Sequence, residues 1–242
     1  MRTLILCGGK GTRAYPYTTE VPKPLLEVGE RPILLHLMEI YAAQGYTEFV
    51  LACGLHIAAF REFAEASDRD WSVHVVDTGE DADTADRVFR CRELVGDPFF
   101  VTYGDGLGDV DLHALQGFHE AHSGAATITA VPLPSQYGTL DLDGEGRVRK
   151  FREKPVLPDH LINAGFMVMD QRVFDQWAGP SLEHDALPAL GDAGELFAYL
   201  HSGFWKSMDT YKDAVELTAL CQRGSAPWMA VPGTHHAPNN SG

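Results

Sequence analysis

LILCGGKGTRAYPYTTEVPKP, residues 4–24, joins a short apolar run to three glycines, an arginine, and a lysine held between two prolines. An apolar run that stops at glycine predicts a buried strand, here over 3–7. A glycine run placed straight after a strand lets the backbone approach a ligand with several N–H groups pointing inward. Such a concavity favours an anion, and phosphate above others. Arg13 adds a planar fork suited to phosphate oxygens, and Thr12 a hydroxyl. Pro22 and Pro24 restrict the backbone about Lys23, so its ammonium is expected on a stiff extended segment. The stretch reads as a polyphosphate cradle. A glycine-rich turn with solvated cations is the bland alternative, which suits one glycine pair better than this whole string. The spacing is neither GxxxxGK[ST] nor GxGxxG, which removes the main support for a P-loop or a dinucleotide dehydrogenase.

Outward from this stretch, strand-like runs at 48–54, 72–79 and 98–106 alternate with helix-like runs at 31–46, 57–66, 84–94 and 111–122. Asp111 is placed to cap the last of these. The alternation predicts an α/β fold: a Rossmann-like, three-layer α/β/α arrangement about a mostly parallel sheet. The second half changes character. Strands are expected at 126–133, 161–170 and 195–200, a short helix at 172–177, and a hairpin over 137–155 that turns at Asp143–Gly144. Residues 203–224 predict a strand, a turn and a last helix. One domain is expected over 1–228, and the aperiodic tail 229–242 is expected to be mobile.

The chain has 242 residues, 45% of them hydrophobic and 22% charged, and a formal charge of −15. The composition is that of a globule, and the charge argues against nucleic-acid or acidic-membrane partners, which need a basic footprint. Of only six lysines, Lys23 and Lys154 stand beside proline, in PKP and EKP. The four cysteines form no CxxC pair. Cys7 and Cys53 end apolar runs and read as buried reduced thiols. No signal peptide opens the chain, and no apolar run reaches the ~18 residues of a membrane span. A cytoplasmic protein with no membrane partner is therefore expected.

The pattern GGxGTR…P…PKP resembles the sugar-1-phosphate nucleotidyltransferases. Further matches are VDTG at 76–79, TYGDGLGDVDL at 102–112, FREKP at 151–155, INAGF at 162–166 and GFWKSMDTYKD at 203–213. Together they look most like the glucose-1-phosphate cytidylyltransferase branch. The resemblance implies a GT-A-like nucleotidyltransferase fold with a nucleotide-binding half (1–124) and a sugar-binding half (125–228). It implies attack by a sugar-1-phosphate, in this branch α-D-glucose 1-phosphate, on the α-phosphorus of a nucleoside triphosphate, in this branch CTP, with release of pyrophosphate.

Site residues follow from the same resemblance. Arg13, Lys23 and Asp105 take catalytic roles. Leu6, Gly8, Gly9, Gly11 and Thr12, with Thr78 and Gly79 of the DTG loop, join Arg13 and Lys23 in binding nucleotide. Asp105 and Asp209 bind Mg²⁺. Gly138, Glu153, Lys154, Asn163 and Gly165 bind the sugar phosphate. A homo-oligomer is also implied. From the residues alone, the bland alternative for Asp209 is the N-cap of the last helix, a role one residue can combine with a metal, and Trp205 reads equally as core or as a stacking platform. One stretch departs from the branch: Thr84-Ala85-Asp86-Arg87-Val88 stands where two glycines and Arg-Leu are usual. A guanylyl-, uridylyl- or thymidylyltransferase acting on another sugar or cyclitol phosphate is the alternative of the same class. A non-catalytic nucleotide-sugar sensor is the alternative of another.

Overall fold

Leu4, Ile5 and Leu6 are buried on both faces of β1 (Thr3–Leu6), which seats this strand inside a sheet rather than at its edge. The structure is a computed structural model and describes residues 1–9 and 21–230. Gly11, Thr12 and Arg13 of the expected cradle, and the tail beyond residue 230, lie outside the described residues.

After β1 come β2 (Glu27–Val28), β3 (Arg31–Pro32), α1 (Ile33–Ala42), β4 (Glu48–Cys53), α2 (Ile57–Glu65), β5 (Ser72–Asp77) and α3 (Thr84–Arg90). Next are β6 (Phe99–Tyr103), β7 (Gly106–Gly108), α4 (Leu112–Glu120), β8 (Ala126–Pro134), β9 (Thr139–Leu142) and β10 (Val148–Arg152). The chain continues through β11 (Val156–Met169), α5 (Leu187–Asp192), β12 (Leu196–Leu200), β13 (Trp205–Ser207) and α6 (Tyr211–Gln222).

A seven-stranded sheet runs β12-β8-β11-β6-β1-β4-β5. β1 pairs in parallel with β4 and β6, β4 with β5, and β12 with β8, while β11 runs antiparallel to both β6 and β8. Alternate residues of each central strand face opposite layers. Ile5, Phe49, Leu51, Phe100 and Phe166 join a core with Leu34, Leu37, Phe60 and Leu115 of α1, α2 and α4. Leu4, Leu6, Val50, Val101 and Met167 join a second with Ala85, Val88, Leu187 and Leu190 of α3 and α5. The fold is thus the expected three-layer α/β arrangement about a mostly parallel sheet.

Two expectations change. The run 98–106 is not one strand: the chain turns at Gly104–Asp105, and β7 leaves the sheet to pair antiparallel with β13. A Cβ on Gly104 would lie 3.0 Å from Pro24 Cγ and 3.1 Å from the Leu6 carbonyl oxygen, so this turn needs glycine for close approach. Lys23 does not sit on an extended segment either. Only Pro22 is extended, and Lys23 opens a short 3₁₀ turn, Lys23–Leu25. The hairpin forms as β9 and β10, with the Asp143 carboxylate accepting from the N–H groups of Glu145 and Arg147 across its turn. The cysteines are free, with Cys7 and Cys53 buried. Among the described residues, no helix is long and apolar enough to cross a membrane.

Candidate active site

The carboxyl ends of β1 and β6 lie side by side, in register at Leu6 and Tyr103, and this is the edge where open α/β sheets place ligands. A cavity of about 720 Å³ opens there. Its walls include Leu6, Cys7, Gly8 and Gly9 after β1, Lys23 and Pro24, and Tyr103, Gly104 and Asp105 after β6. Residues 80–84, Arg87, Ser181, Glu183 and His184 complete it.

Three features aim Lys23 at this site. Leu25 N donates to the Pro22 carbonyl and Leu26 N to that of Lys23, at 2.8 and 3.1 Å. Pro24 is buried beneath the Gly104 turn. The lysine ammonium then lies 2.6 Å from Asp105 Oδ2 and 3.0 Å from Asp209 Oδ1. Burial alone would lower the Lys23 pKa, but Asp105 and Asp209 outweigh it and hold the ammonium above the usual lysine value. It is fully cationic at neutral pH.

The two aspartates are 104 residues apart in number (209 − 105) and are brought together by the β7–β13 ladder. Gly106 pairs with Ser207, and just beyond the ladder Met208 N donates to the Asp105 carbonyl at 2.8 Å. Ser207 Oγ donates to Asp209 Oδ2 at 2.7 Å and orients it. Asp209 is not the N-cap of α6. Thr210 is, in a capping box with Asp213, so Asp209 faces the site instead of the helix. Two carboxylates with hard oxygen donors suit Mg²⁺, which keeps waters and substrate phosphates for its other positions. Among the described residues no group of three or more His, Cys, Asp or Glu is arranged to hold a metal, so the fit is to that shared mode rather than to an all-protein cage.

In the sequence Arg87 stands where the branch pattern has its arginine, but nothing there gave it a role. It is almost wholly buried and donates to the carbonyls of Gly8 at 2.9 Å, Gly79 at 2.9 Å and Cys53 at 3.2 Å, and to Thr78 Oγ1 at 2.6 Å. Burial lowers its pKa below the usual arginine value, yet a guanidinium stays charged in any such site. One cation thereby ties the ends of β1, β4 and β5 together beneath the cavity. Thr78 and Gly79 stand behind this clamp rather than on the cavity wall. The Thr78 hydroxyl donates to the Cys53 carbonyl, and Gly79 N donates to Asp77 Oδ1.

The stretch that departs from the glycine pattern also has a packing role. Ala85 is buried in the core beside Leu182 and Ala186, and the N–H groups of Ala85 and Asp86 both donate to the Pro180 carbonyl. Its added methyl thus fills the interface between α3 and residues 180–186. Those residues form a single π turn, Leu182–Ala186, that enters α5, and no periodicity in 178–194 announced it.

Glu183 from that turn reaches the cavity. Tyr103 donates its hydroxyl to Glu183 Oε1, Thr84 Oγ1 donates to Oε2 at 2.7 Å, and Ser181 Oγ donates to Oε2 at 3.1 Å. Burial works against the carboxylate, but these donors hold its pKa below the usual glutamate value. Burial and the Glu183 charge push the Tyr103 pKa up, so that pair is an ionised carboxylate and a neutral phenol. Glu183 could be found from the sequence only as an acidic residue in a loop.

The expected sugar residues lie apart from these walls. A Cβ on Gly165 would meet the Tyr103 ring at 2.4 Å, and Asn163 Oδ1 accepts from Gly165 N at 2.8 Å. Asn163 and Gly165 therefore form the backing of Tyr103. Gly138 lies under Phe151 and Glu153, whose carboxylate stands 3.1 Å from where its Cβ would be. Glu153 and Lys154 are exposed at the foot of the hairpin, beyond the cavity wall. Trp205 packs on the first core and donates Nε1 to the Ala164 carbonyl at 2.7 Å, which commits its polar edge to β11.

Comparison with known proteins gives a consistent picture. Residues 2–221 match the nucleotidyl transferase family. The chain is 38% identical to the glucose-1-phosphate cytidylyltransferase of Salmonella typhi, over 94% of this chain and 98% of that one. It is 33% identical to the mannose-1-phosphate guanyltransferase of Candida albicans, over 91% of this chain and 64% of that one. Among solved structures, HddC from Yersinia pseudotuberculosis superimposes with a TM-score of 0.70 at 21% identity, covering 90% of this chain and 98% of that one. That likeness is one of fold.

Proposed function

The chain belongs to the nucleotidyl transferase family, and from that premise we propose that it joins α-D-glucose 1-phosphate to CTP with release of pyrophosphate. One observation carries the reading: a cationic lysine and two carboxylates from distant segments meet at the glycine-lined end of β1, beside the cavity. The relatives with 38% identity over nearly their whole length support the substrate pair.

In this reaction an oxygen of the sugar phosphate bonds to the α-phosphorus, and the bond to the β-phosphate oxygen breaks. Two anions must meet, so the protein's task is neutralisation and in-line alignment. Lys23 would bring its fixed charge to the phosphates about the attacked phosphorus, where negative charge moves toward the leaving pyrophosphate. Asp105 and Asp209 would hold Mg²⁺, which when bound draws charge from phosphate oxygens. Arg13, Gly11 and Thr12 are assigned to the triphosphate with Gly8 and Gly9. Arg87, which fixes Gly8 against the Thr78–Glu80 loop, would set the floor on which the nucleotide lies.

For the sugar, Glu183 is an ionised acceptor on the cavity wall, held by three hydroxyl groups, and would take a pyranose hydroxyl. Glu153 and Lys154 are assigned to the sugar and its phosphate, with Gly138, Asn163 and Gly165 supporting close approach. We also place the protein in the cytoplasm as a homo-oligomer, on the family resemblance.

The test is a grid of nucleoside triphosphates against sugar 1-phosphates with Mg²⁺, read by pyrophosphate release. CTP with glucose 1-phosphate is expected to give the highest kcat/KM. GTP with mannose 1-phosphate in that place would move the protein to the guanylyl branch. No pyrophosphate from any pair, with a melting shift on adding nucleotide sugar, would leave a sensor.

A further inference from the structure

Lys23 takes one oxygen from each of the carboxylates assigned above to the cation, at 2.6 and 3.0 Å. Mg²⁺ binds carboxylate oxygens at about 2.0–2.1 Å, so a cation using this pair would approach the point that the ammonium already holds. A dication and an ammonium a few ångströms apart repel strongly in a partly dry site. The lysine backbone cannot yield, because Pro22, the 3₁₀ turn and the buried Pro24 hold it. The side chain alone can swing. It is mostly buried, with 11% of it exposed, and the cavity it lines is where phosphate oxygens are to enter.

We propose that Lys23 and the divalent cation compete for Asp105 and Asp209, and that the triphosphate opens the cation site by drawing the Lys23 ammonium onto its own oxygens. The inference rests on the assignment of these aspartates to the cation. It adds an order: the cation alone binds weakly, and binds well once the phosphates have claimed the lysine. The same charge then serves twice, first as a counter-ion that keeps two carboxylates together, and afterwards as a phosphate ligand.

The test is direct Mn²⁺ binding to the full chain without nucleotide, followed by the electron paramagnetic resonance signal of free Mn²⁺. Lys23→Met removes the competing charge and is expected to tighten Mn²⁺ binding at least about tenfold. Lys23→Gln keeps a hydrogen-bond donor toward Asp105, should shift binding in the same direction, and serves if the methionine variant does not fold. Binding unchanged or weakened in the folded variant overturns the competition. Asp105→Asn and Asp209→Asn, each combined with Lys23→Met, separate the two ideas. If the double variants lose Mn²⁺ while Lys23→Met gains nothing over wild type, the competition alone fails. If the double variants bind Mn²⁺ as well as Lys23→Met does, the cation assignment fails and takes the inference with it.

Discussion

Arg87 donates Nη2 to the carbonyl of Gly8 at 2.9 Å, across 79 residues of chain. The contact is close enough that a Cβ on Gly8 would stand 2.0 Å from the guanidinium carbon. The strand-end loop expected to meet phosphate is therefore shaped from below by a buried cation. Arg87→Met would strip the donor from several buried acceptors at about 1–3 kcal/mol each, and a total loss of at least about 3 kcal/mol is expected in urea unfolding. Arg87→Lys keeps the charge but not the fork. It should raise the nucleotide KM about tenfold or more and leave the sugar-phosphate KM nearly unchanged. Equal effects on both substrates would mean that the clamp does not serve the nucleotide floor.

Asp105 lies at a turn whose backbone is set by Gly104 and by the Met208 N–H, so its side chain is free to be changed without loss of fold. Asp105→Asn and Lys23→Ala are each expected to cut turnover by at least about 100-fold with a cooperative melting transition retained. Pyrophosphate release and a melting curve on the same preparation decide it. Near-normal turnover in either variant removes that residue from the reaction.

Glu183 gathers hydroxyl groups from Tyr103, Thr84 and Ser181. If it receives a sugar hydroxyl, Glu183→Gln should lower kcat/KM for the sugar phosphate about tenfold, the range expected when a charged acceptor becomes neutral. The nucleotide KM should stay put. Tyr103→Phe should follow in the same direction with a smaller effect, since Thr84 and Ser181 remain to hold the carboxylate. A loss confined to the nucleotide KM would assign Glu183 to the other substrate.

His36 is buried, with Nε2 2.8 Å from the Val28 carbonyl and Nδ1 facing Arg31 Nη2 at 3.2 Å and Trp228 Nε1 at 3.4 Å. Two donors on Nδ1 require the neutral ring, with its hydrogen on Nε2. Burial lowers its pKa from 6.5, Arg31 adds to burial, and Val28 and Glu39 oppose it. Below about pH 6.5 the unfolded chain then binds more protons than the native one, so stability rises with pH in that window. The contribution is complete above the unfolded value and is lost as pH falls toward the folded one, at up to about 1.4 kcal/mol per pH unit. Urea midpoints between about pH 5 and 7.5 should slope less in His36→Gln than in wild type. Parallel slopes would place the titration elsewhere.

The first strand, the glycines after it and the lysine between prolines were legible as local signals, whereas the aspartates of YGD and SMDT were picked out by the family resemblance. An enclosed apolar run, a proline-fixed backbone and a glycine turn act over a few residues, and their alternation with amphipathic stretches dictates a parallel sheet. From them the fold class and a phosphate site at the strand end were within reach, and the motif resemblance added the reaction family.

What the chain alone did not disclose depends on partners distant in number. Arg87 matches an arginine of the branch pattern but has no readable role until the ends of three strands converge on it, and Glu183 is one more loop acid until the π turn packs against Ala85. Nothing in the sequence announced that β7 and β13 pair with each other, yet that pairing brings Asp105 and Asp209 to a single ammonium. Composition and spacing determined which groups this protein has for handling phosphate. Only the enclosure of the chain, which makes buried polar groups find one another across long separations because leaving them unpaired costs too much, decided where those groups meet.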